Sequence, residues 1–551
     1  MINKGSNSLH IICILAILTG TSPIFVGATP RFTDVTKAAR IDFVNQSGDA
    51  EKKHIIETQS AGGGFWDYDL DGNLDIFLTS GARSDSLPGT ALYRGIGQGL
   101  FSNKTQSANA GLNGWNMGIA FADYDQDGDP DLYLTRWGPD ILLTNHRDGR
   151  FENGTAAARL GSKGWGIGAA FADYDQDGDL DLYVANYIQF EPGGPPFYDR
   201  QCTHNGVPAA CGPIGAEAQP DILYRNEGDG TFRDISHQAG IQGPTHYGMG
   251  VAWSDLDDDG DLDLYVANDG DPNFLWRNDD GDFVNTALSA GVAYSSDGRP
   301  QAGMGVALAD FDNDLRIDIF VTNFSQDHNT LYHNQDNGFF ADISGRAGLA
   351  GTSRPFMGWG TLFFDFDHDG WQDLFVANGH LMPAIEEGGG GLRYRQRNQL
   401  FRNLGNGSFK DMATDAPLEA HEVSRGVASG DYDQDGDLDL LVANLDARPA
   451  LLRNDVESKG HWIMLNLRRG KIDAIGTRVL IDANGHRQIR EVQTGSSFQS
   501  QSDTRLHFGL GSASIANIEI VWPGGERQLF PSVPADRHYI IHQGIDALST
   551  E

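Results

Sequence analysis

The chain has 551 residues, 76 acidic against 40 basic side chains, a formal net charge of −36 and 70 glycines. That length exceeds one ordinary core, so two domains or a repeat array are expected. The charge argues against a nucleic-acid partner, since phosphate neutralisation needs a basic face.

The first 28 residues read as an export signal. Lys4 precedes a short apolar run, "IICILAIL" (11–18), and "VGA" (26–28) ends in small residues suited to cleavage after Ala28. A membrane anchor is the alternative, but spanning a bilayer takes about 20 apolar residues. No later stretch approaches that length, so the expectation is a secreted protein, extracellular or periplasmic, with no transmembrane segment once the signal is removed.

From residue 29 to 455 one acidic motif recurs seven times. It reads "DYDLDGNLD" (67–75), "DYDQDGDPD" (123–131), "DYDQDGDLD" (173–181), "DLDDDGDLD" (255–263), "DFDNDLRID" (310–318), "DFDHDGWQD" (365–373) and "DYDQDGDLD" (431–439). The start-to-start spacings of 56, 50, 82, 55, 55 and 66 residues are those of a propeller or array. Each copy follows a small or apolar run such as "GVAWS" (250–254) and precedes an alternating run such as "LDLYVAN" (180–186). A second strand signal comes next, "LYRN" (223–226) or "LFRN" (400–403), then a third, "FRDIS" (232–236) or "FKDMA" (409–413). Four short strands per unit and no helical period predict an all-β, seven-bladed propeller. "FTDVT" (32–36) matches the last strand of a unit yet precedes the first loop, while the seventh unit stops at "LLRN" (451–454). The N-terminal strand is therefore expected to complete the seventh blade and remove an open sheet edge.

Asp at positions 1, 3, 5 and 9 places four carboxylates round one turn, tolerable when a hard cation sits among them. Position 7 adds a backbone carbonyl, and Gly at position 6 permits the positive φ of a sharp turn. The candidate Ca²⁺ ligands are Asp67, Asp69, Asp71, Asn73 and Asp75; Asp123, Asp125, Asp127, Asp129 and Asp131; and Asp173, Asp175, Asp177, Asp179 and Asp181. They continue with Asp255, Asp257, Asp259, Asp261 and Asp263; Asp310, Asp312, Asp314, Arg316 and Asp318; Asp365, Asp367, Asp369, Trp371 and Asp373; and Asp431, Asp433, Asp435, Asp437 and Asp439. Up to seven ions are expected, one per blade. An EF-hand would need a Glu at position 12 and flanking helices; here that position is Leu78, Leu134, Val184, Val266, Val321, Val376 or Val442. The fifth loop is the weakest, since Leu315 replaces Gly and Arg316 sets a cation beside the site. Asp-rich turns that bind nothing are the bland alternative.

An insertion at 187–220 carries Cys202 and Cys211; the third cysteine, Cys13, lies in the signal. In an oxidising compartment the two would close a ten-residue loop, with free thiols as the alternative. Residues 460–545 show alternating runs, "HWIMLNL" (461–467), "TRVLI" (477–481) and "IEIVW" (518–522), separated by glycine turns: a second, small all-β domain. Within it "GSSFQSQ" (495–501) is a recognition loop or a structural one.

The blade units resemble FG-GAP/VCBS repeats, the calcium-loop blades also found in integrin α-chain propellers. "AIGTRVLI" (474–481), "IREVQTGSSFQSQ" (489–501), "LHFGLG" (506–511) and "IEIVWPGG" (518–525) resemble the ASPIC/UnbV domain. Together they make the chain similar to the cartilage acidic protein family. The resemblance implies an exported calcium-binding propeller with a small C-terminal β domain, and implies no reaction.

No G-x-S-x-G elbow, H-E-x-x-H, P-loop or cysteine nucleophile is present. "GIGAA" (166–170) and "GMGVA" (248–252) lead into strands, so they read as close blade packing near the axis rather than phosphate loops. Trp115, Trp165, His246 and Phe356 are candidate ligand-binding residues at one mouth of the central channel, with blade packing as the alternative. The expected function is a non-catalytic recognition or adhesion module for an extracellular protein or glycan, calcium being structural. A secreted carbohydrate-active or redox enzyme using the channel is the second reading.

Overall fold

The computed structural model describes residues 31–81, 89–147, 149–191, 202–241, 245–336, 338–413, 418, 420–457 and 459–550. The expected export signal, residues 1–28, and residues 192–201 of the insertion lie outside them.

Seven four-stranded antiparallel sheets follow one another, one per acidic loop. In the third blade Gly166–Ala172 pairs with Asp181–Asn186, then Ile222–Asn226, then Phe232–Asp234, and the acidic loop is the hairpin between the first two strands. The other blades repeat this order, because each apolar run and each alternating run is short and bounded by turn residues. The seventh blade takes its outermost strand from the N-terminus: Phe32 pairs with Asn454 and Asp34 with Leu452. The last blade is thus closed by the chain that begins the first, as the "FTDVT" pattern predicts.

The first strands of the blades stand round the axis, and a glycine in each meets the backbone of the next. A Cβ on Gly62 would stand 2.8 Å from the Met117 carbonyl oxygen, on Gly118 2.3 Å from that of Ile167, and on Gly168 2.3 Å from that of Met249. The series runs on through Gly250 against Met304, Gly305 against Trp359 and Gly360 against Arg425, and Gly426 closes it against Ala61. Seven close approaches complete one ring. They explain the glycines of "GIGAA" and "GMGVA" as packing, with no phosphate site required.

The C-terminal module holds two sheets. His461–Arg469 is central to one, flanked by Leu506–Gly511 and by Arg537–His542. Arg478–Ala483 and Ile515–Val521 form the middle of the other. Buried Ile463, Leu465, Val479, Ile481, Ile518, Ile520 and Trp522 form its core.

Between the sheets, residues 494–502 leave the module and enter the propeller axis. They make hydrogen bonds to the first strand of every blade. Phe65 N–H donates to the Gln501 carbonyl (3.2 Å), Phe121 N–H to Gln501 Oε1 (2.8 Å) and Phe171 N–H to Thr494 Oγ1 (2.8 Å). Ser496 N–H donates to the Val251 carbonyl (3.3 Å), and Ser497 exchanges backbone hydrogen bonds with Val306 (2.6 and 3.0 Å). Thr361 N–H donates to Ser497 Oγ (3.1 Å) and Ser429 N–H to Ser502 Oγ (3.0 Å). The inner strands are sheet edges whose backbone groups need partners, and this segment supplies them. Of the two readings of "GSSFQSQ", the structural one holds.

Candidate functional site

Each acidic nonapeptide folds by local bonding. Position 1 accepts the N–H of positions 5 and 6, as Asp431 does from Asp435 (3.1 Å) and Gly436 (2.9 Å). Position 5 accepts from position 7, as Asp435 does from Asp437 (3.0 Å). Position 9 binds the loop to its sheet: Asp373 accepts from Phe366 N–H (3.2 Å) and Asn403 N–H (2.8 Å). The glycine at position 6 has φ between 87° and 101° in six loops, and Leu315 takes the same left-handed turn at 71° in the fifth. Position 4 is also left-handed in all seven, Leu70 to Gln434, with φ of 54° to 61°.

These bonds leave a cluster of carboxylate oxygens in each loop, met in the first by Arg94, 2.7 Å from Asp71, and in the sixth by Arg402, 3.3 Å from Asp369. Asp67, Asp69 and Asp71 each bring a ligand atom within 4.8 Å of the others, as do Asp123, Asp125 and Asp127, then Asp173, Asp175 and Asp181, then Asp255, Asp257 and Asp259. At position 3, Asp69 Oδ1, Asp257 Oδ1, Asp312 Oδ1, Asp367 Oδ1 and Asp433 Oδ1 are buried with no hydrogen-bond partner, while Asp367 Oδ2 pairs with Arg402 at 2.7 Å. Buried carboxylate oxygens left without partners are costly. Burial, followed by the neighbouring carboxylates, pushes Asp67 up to about 6, Asp123 and Asp310 up to about 7 and Asp263 up to about 8. A donor set made wholly of hard oxygens, with unpartnered oxygens at the same position in five loops, fits Ca²⁺.

The fifth loop differs in the way its sequence suggests. Arg316 turns its guanidinium onto Asp314 and donates to the Asn334 carbonyl (3.1 Å). His333 stands 3.0 Å from Asp312 and 3.4 Å from Asp314, and its bonds to these carboxylates push it up to about 10. Two protein cations thus crowd this loop.

Two sets of residues that sequence reasoning passed over couple the loops round the ring. The first is the asparagine ending "L-x-x-N". Asn145, Asn226, Asn278, Asn334, Asn403 and Asn454 each donate a side-chain N–H to the position-2 carbonyl of the preceding blade's loop, at 2.7–2.9 Å. The first blade has Gly95 instead, where a Cβ would stand 2.4 Å from the Leu74 carbonyl oxygen. The second set is the amide at position 4, which reaches forward. Gln126 donates to the Gly178 carbonyl (2.9 Å), Gln176 to Gly260 (2.9 Å), Asn313 to Gly370 (3.0 Å) and Gln434 to Gly72 (2.8 Å). Gln434 therefore joins the seventh and first blades, the interface that lacks the asparagine. The signal available beforehand was the recurrence of Asn and of an amide at fixed offsets from each loop.

The C-terminal module covers part of this loop face with cations. Arg469 lies 3.3 Å from Asp173, Arg478 2.6 Å from Asp258, and Lys459 pairs with Asp437. At the opposite mouth Phe498, at the tip of the inserted segment, packs edge-on against Trp359 at 4.9 Å. Trp165 is fully buried in the same apolar cluster, with Met117, Met249, Met304 and Met357, and Trp115 packs at its margin. His246 stacks on Phe274 (4.4 Å) and Phe356 lies under Arg397 (4.9 Å). The four aromatic candidates therefore do not ring an opening: Phe498 and its neighbours fill the axis where an open channel was expected. The cysteines do pair, Cys202 with Cys211 at a Cα separation of 5.2 Å. No helix among the described residues is long and apolar enough to cross a membrane.

Comparison with known proteins agrees with these features. An FG-GAP-like repeat matches residues 67–134, 126–184, 214–266, 255–321, 310–376 and 390–442, and ASPIC and UnbV matches 468–547. Human cartilage acidic protein 1 is 28% identical over 335 residues, 58% of this chain and 47% of its own. The Xenopus tropicalis protein of that name is 30% identical over 295 residues, 51% of this chain and 42% of its own. The chain thus spans about half the length of the curated relatives it matches. A solved Agrocybe aegerita lectin, described as recognising non-reducing terminal N-acetylglucosamine, superposes with a TM-score of 0.35 at 14% identity, over 67% of this chain and 88% of that one.

Proposed function

Because the chain belongs to the cartilage acidic protein family, with FG-GAP-like repeats and a C-terminal ASPIC and UnbV domain, we propose that it is an exported, calcium-stabilised and non-catalytic recognition module for an extracellular protein or glycan. The observation that carries the reading is the set of buried, unpartnered position-3 oxygens in five loops. Calcium there satisfies them and sets each loop, and the asparagine and amide bonds pass that order to the adjoining blades. Its role is structural, because each loop is bonded to its own sheet through position 9 and to the adjoining blade through the asparagine. The filled axis also removes the place where a propeller enzyme would hold a substrate. Export follows from the pattern of residues 1–28.

A glycan and protein array, read with millimolar calcium and again with excess chelator, tests this. Binding that calcium supports and that leaves the ligand chemically unchanged is expected. Turnover of a bound ligand would overturn the non-catalytic reading, and binding indifferent to chelation would overturn the role of calcium.

A further inference from the structure

In six blades the residue before the inter-blade asparagine, and in the first blade the residue before Gly95, occupies one place beside the acidic loop. It is Arg94, Thr144, Arg225, Arg277, His333, Arg402 and Arg453 in blade order. Arg94 lies 2.7 Å from Asp71 and Arg402 2.7 Å from Asp367, so a side chain at this place reaches the carboxylates at positions 3 and 5. The fifth blade alone has an imidazole there.

His333 stands in Thr330–Asn334, opposite Ala341 of Phe340–Asp342. Its neighbour Tyr332, on the other face of the strand, is buried in an apolar core. Phe311 meets the imidazole edge-on at 5.8 Å, and the Gln335 amide lies against Nδ1. These contacts hold the ring with its buried Nε2 3.0 Å from Asp312 Oδ2 and 3.4 Å from Asp314 Oδ2. One ligand atom from each of the three residues lies within 4.8 Å of the other two. Atoms bonded to a tetrahedral zinc ion at about 2.0–2.1 Å stand about 3.3 Å from one another, so nitrogen and oxygen are spaced here as a metal's donor set is.

The protein's own cations do not balance this loop. The carboxylates of Asp310, Asp312, Asp314 and Asp318 face only Arg316 and His333, which leaves two negative charges over. Arg316 pairs with Asp314 from a side chain that is 30% exposed, whereas Asp312 Oδ1 is buried with no hydrogen-bond partner. A partly exposed pair of that kind is weak and yields to a divalent ion. Calcium takes six to eight oxygens and gains little from an imidazole nitrogen. A borderline ion binds imidazole and carboxylate together, and zinc outranks manganese and ferrous iron at such a site.

We propose that the fifth loop is a zinc site, preferred there over calcium, with His333, Asp312 and Asp314 as its protein ligands. Zinc displaces the proton on Nε2, which leaves to solvent, and the Arg316 guanidinium turns from Asp314 to water. The assignment changes the ion of one loop and stands apart from the calcium reading of the others.

The test strips the full-length exported protein with chelator, restores millimolar calcium and titrates Zn²⁺ by calorimetry, with bound metals counted by native mass spectrometry. One equivalent of zinc is expected to bind against that calcium, and X-ray absorption of the zinc-loaded protein is expected to show imidazole scattering. H333R installs the residue that five other blades carry; with an unchanged near-ultraviolet spectrum, it is expected to lose at least tenfold in zinc affinity. H237R, the same change at an exposed site in the third blade, is expected to keep it. No zinc held against calcium, a shell without imidazole, zinc retained in H333R, or equal loss in H237R would each overturn the zinc site. Calcium counted in the same spectra separates the two readings, since calcium retained in the other loops while zinc is not bound sinks this assignment alone. If H333R does not fold, H333Q, expected to lose at least tenfold as well, decides in its place.

Discussion

Asn403 of the sixth blade donates its side-chain N–H to the Phe311 carbonyl of the fifth blade's acidic loop at 2.7 Å. The same amide donates to the Gln372 carbonyl of its own loop at 2.9 Å, and the residue's backbone N–H binds Asp373 at 2.8 Å. One buried side chain therefore ties an acidic loop to its sheet and to its neighbour.

Asn403→Ala should destabilise the protein by about 2–3 kcal/mol, because two buried carbonyls lose their donor and nothing replaces it. Urea titration followed by tryptophan fluorescence measures this. Asn406→Ala, in an exposed turn bonded only to Ser408, should cost well under half as much. Equal effects would show that the blade-to-blade bond carries no special share.

Chelation should lower the melting temperature by more than about 10 °C, since each ion bound at a hundred times its dissociation constant contributes about 2.7 kcal/mol. Asp367→Asn should reduce the calcium count by one in native mass spectrometry, its Oδ1 being buried without a hydrogen-bond partner. His333→Ala should not reduce the count. A melting temperature unmoved by exhaustive dialysis against chelator would contradict the reading of all seven loops.

Phe498→Ala should cost about 3–5 kcal/mol, the range for an aromatic side chain deleted from a packed site. Phe498 is fully buried against Trp359. The inserted segment bonds to all seven inner strands, so the propeller and the C-terminal module should unfold in one calorimetric transition. In Phe498→Ala the transition should broaden or split. A wild-type scan with two separate peaks would show that the insertion does not couple them.

His380 supplies a pH dependence away from the acidic loops. Its Nδ1 accepts from Met382 N–H (3.2 Å), its Nε2 lies 3.1 Å from Ser325 Oγ, and burial pushes it down to about 3. In the unfolded chain it titrates near 6.5, so between these values the unfolded state binds more protons and stability falls with falling pH. The contribution is whole above pH 6.5, and about 2 kcal/mol of it should be lost by pH 5. His380→Gln should therefore be less stable than wild type at pH 7.5, and the gap should narrow by about that amount at pH 5. A gap independent of pH would show that the imidazole is not held neutral.

The architecture was legible because its signals are short-range. Every ligand of one loop lies within nine residues, and the strand runs on either side have a period of two, so seven repeats announce seven blades. The closing strand was legible for the same reason: "FTDVT" matches a unit's last strand. The Asn latch was not, since an asparagine at the end of a strand has many local uses and its partner lies 77 to 104 residues away. The four aromatic candidates suggested an open mouth because the residue that fills it, Phe498, belongs to a different module.

What the amino-acid order alone determined was the blade count, the loop chemistry, the ring closure and the second all-β module, each written in neighbouring residues. What the tertiary structure alone decided was the filling of the axis. Residues 494–502 include a stretch the string left open between a recognition and a structural loop, and they matter because a ring of seven sheet edges leaves backbone N–H and carbonyl groups that some other segment must meet. Gln501 meets Phe65 and Phe121 from 436 and 380 positions along the chain, a distance over which no local pattern carries information.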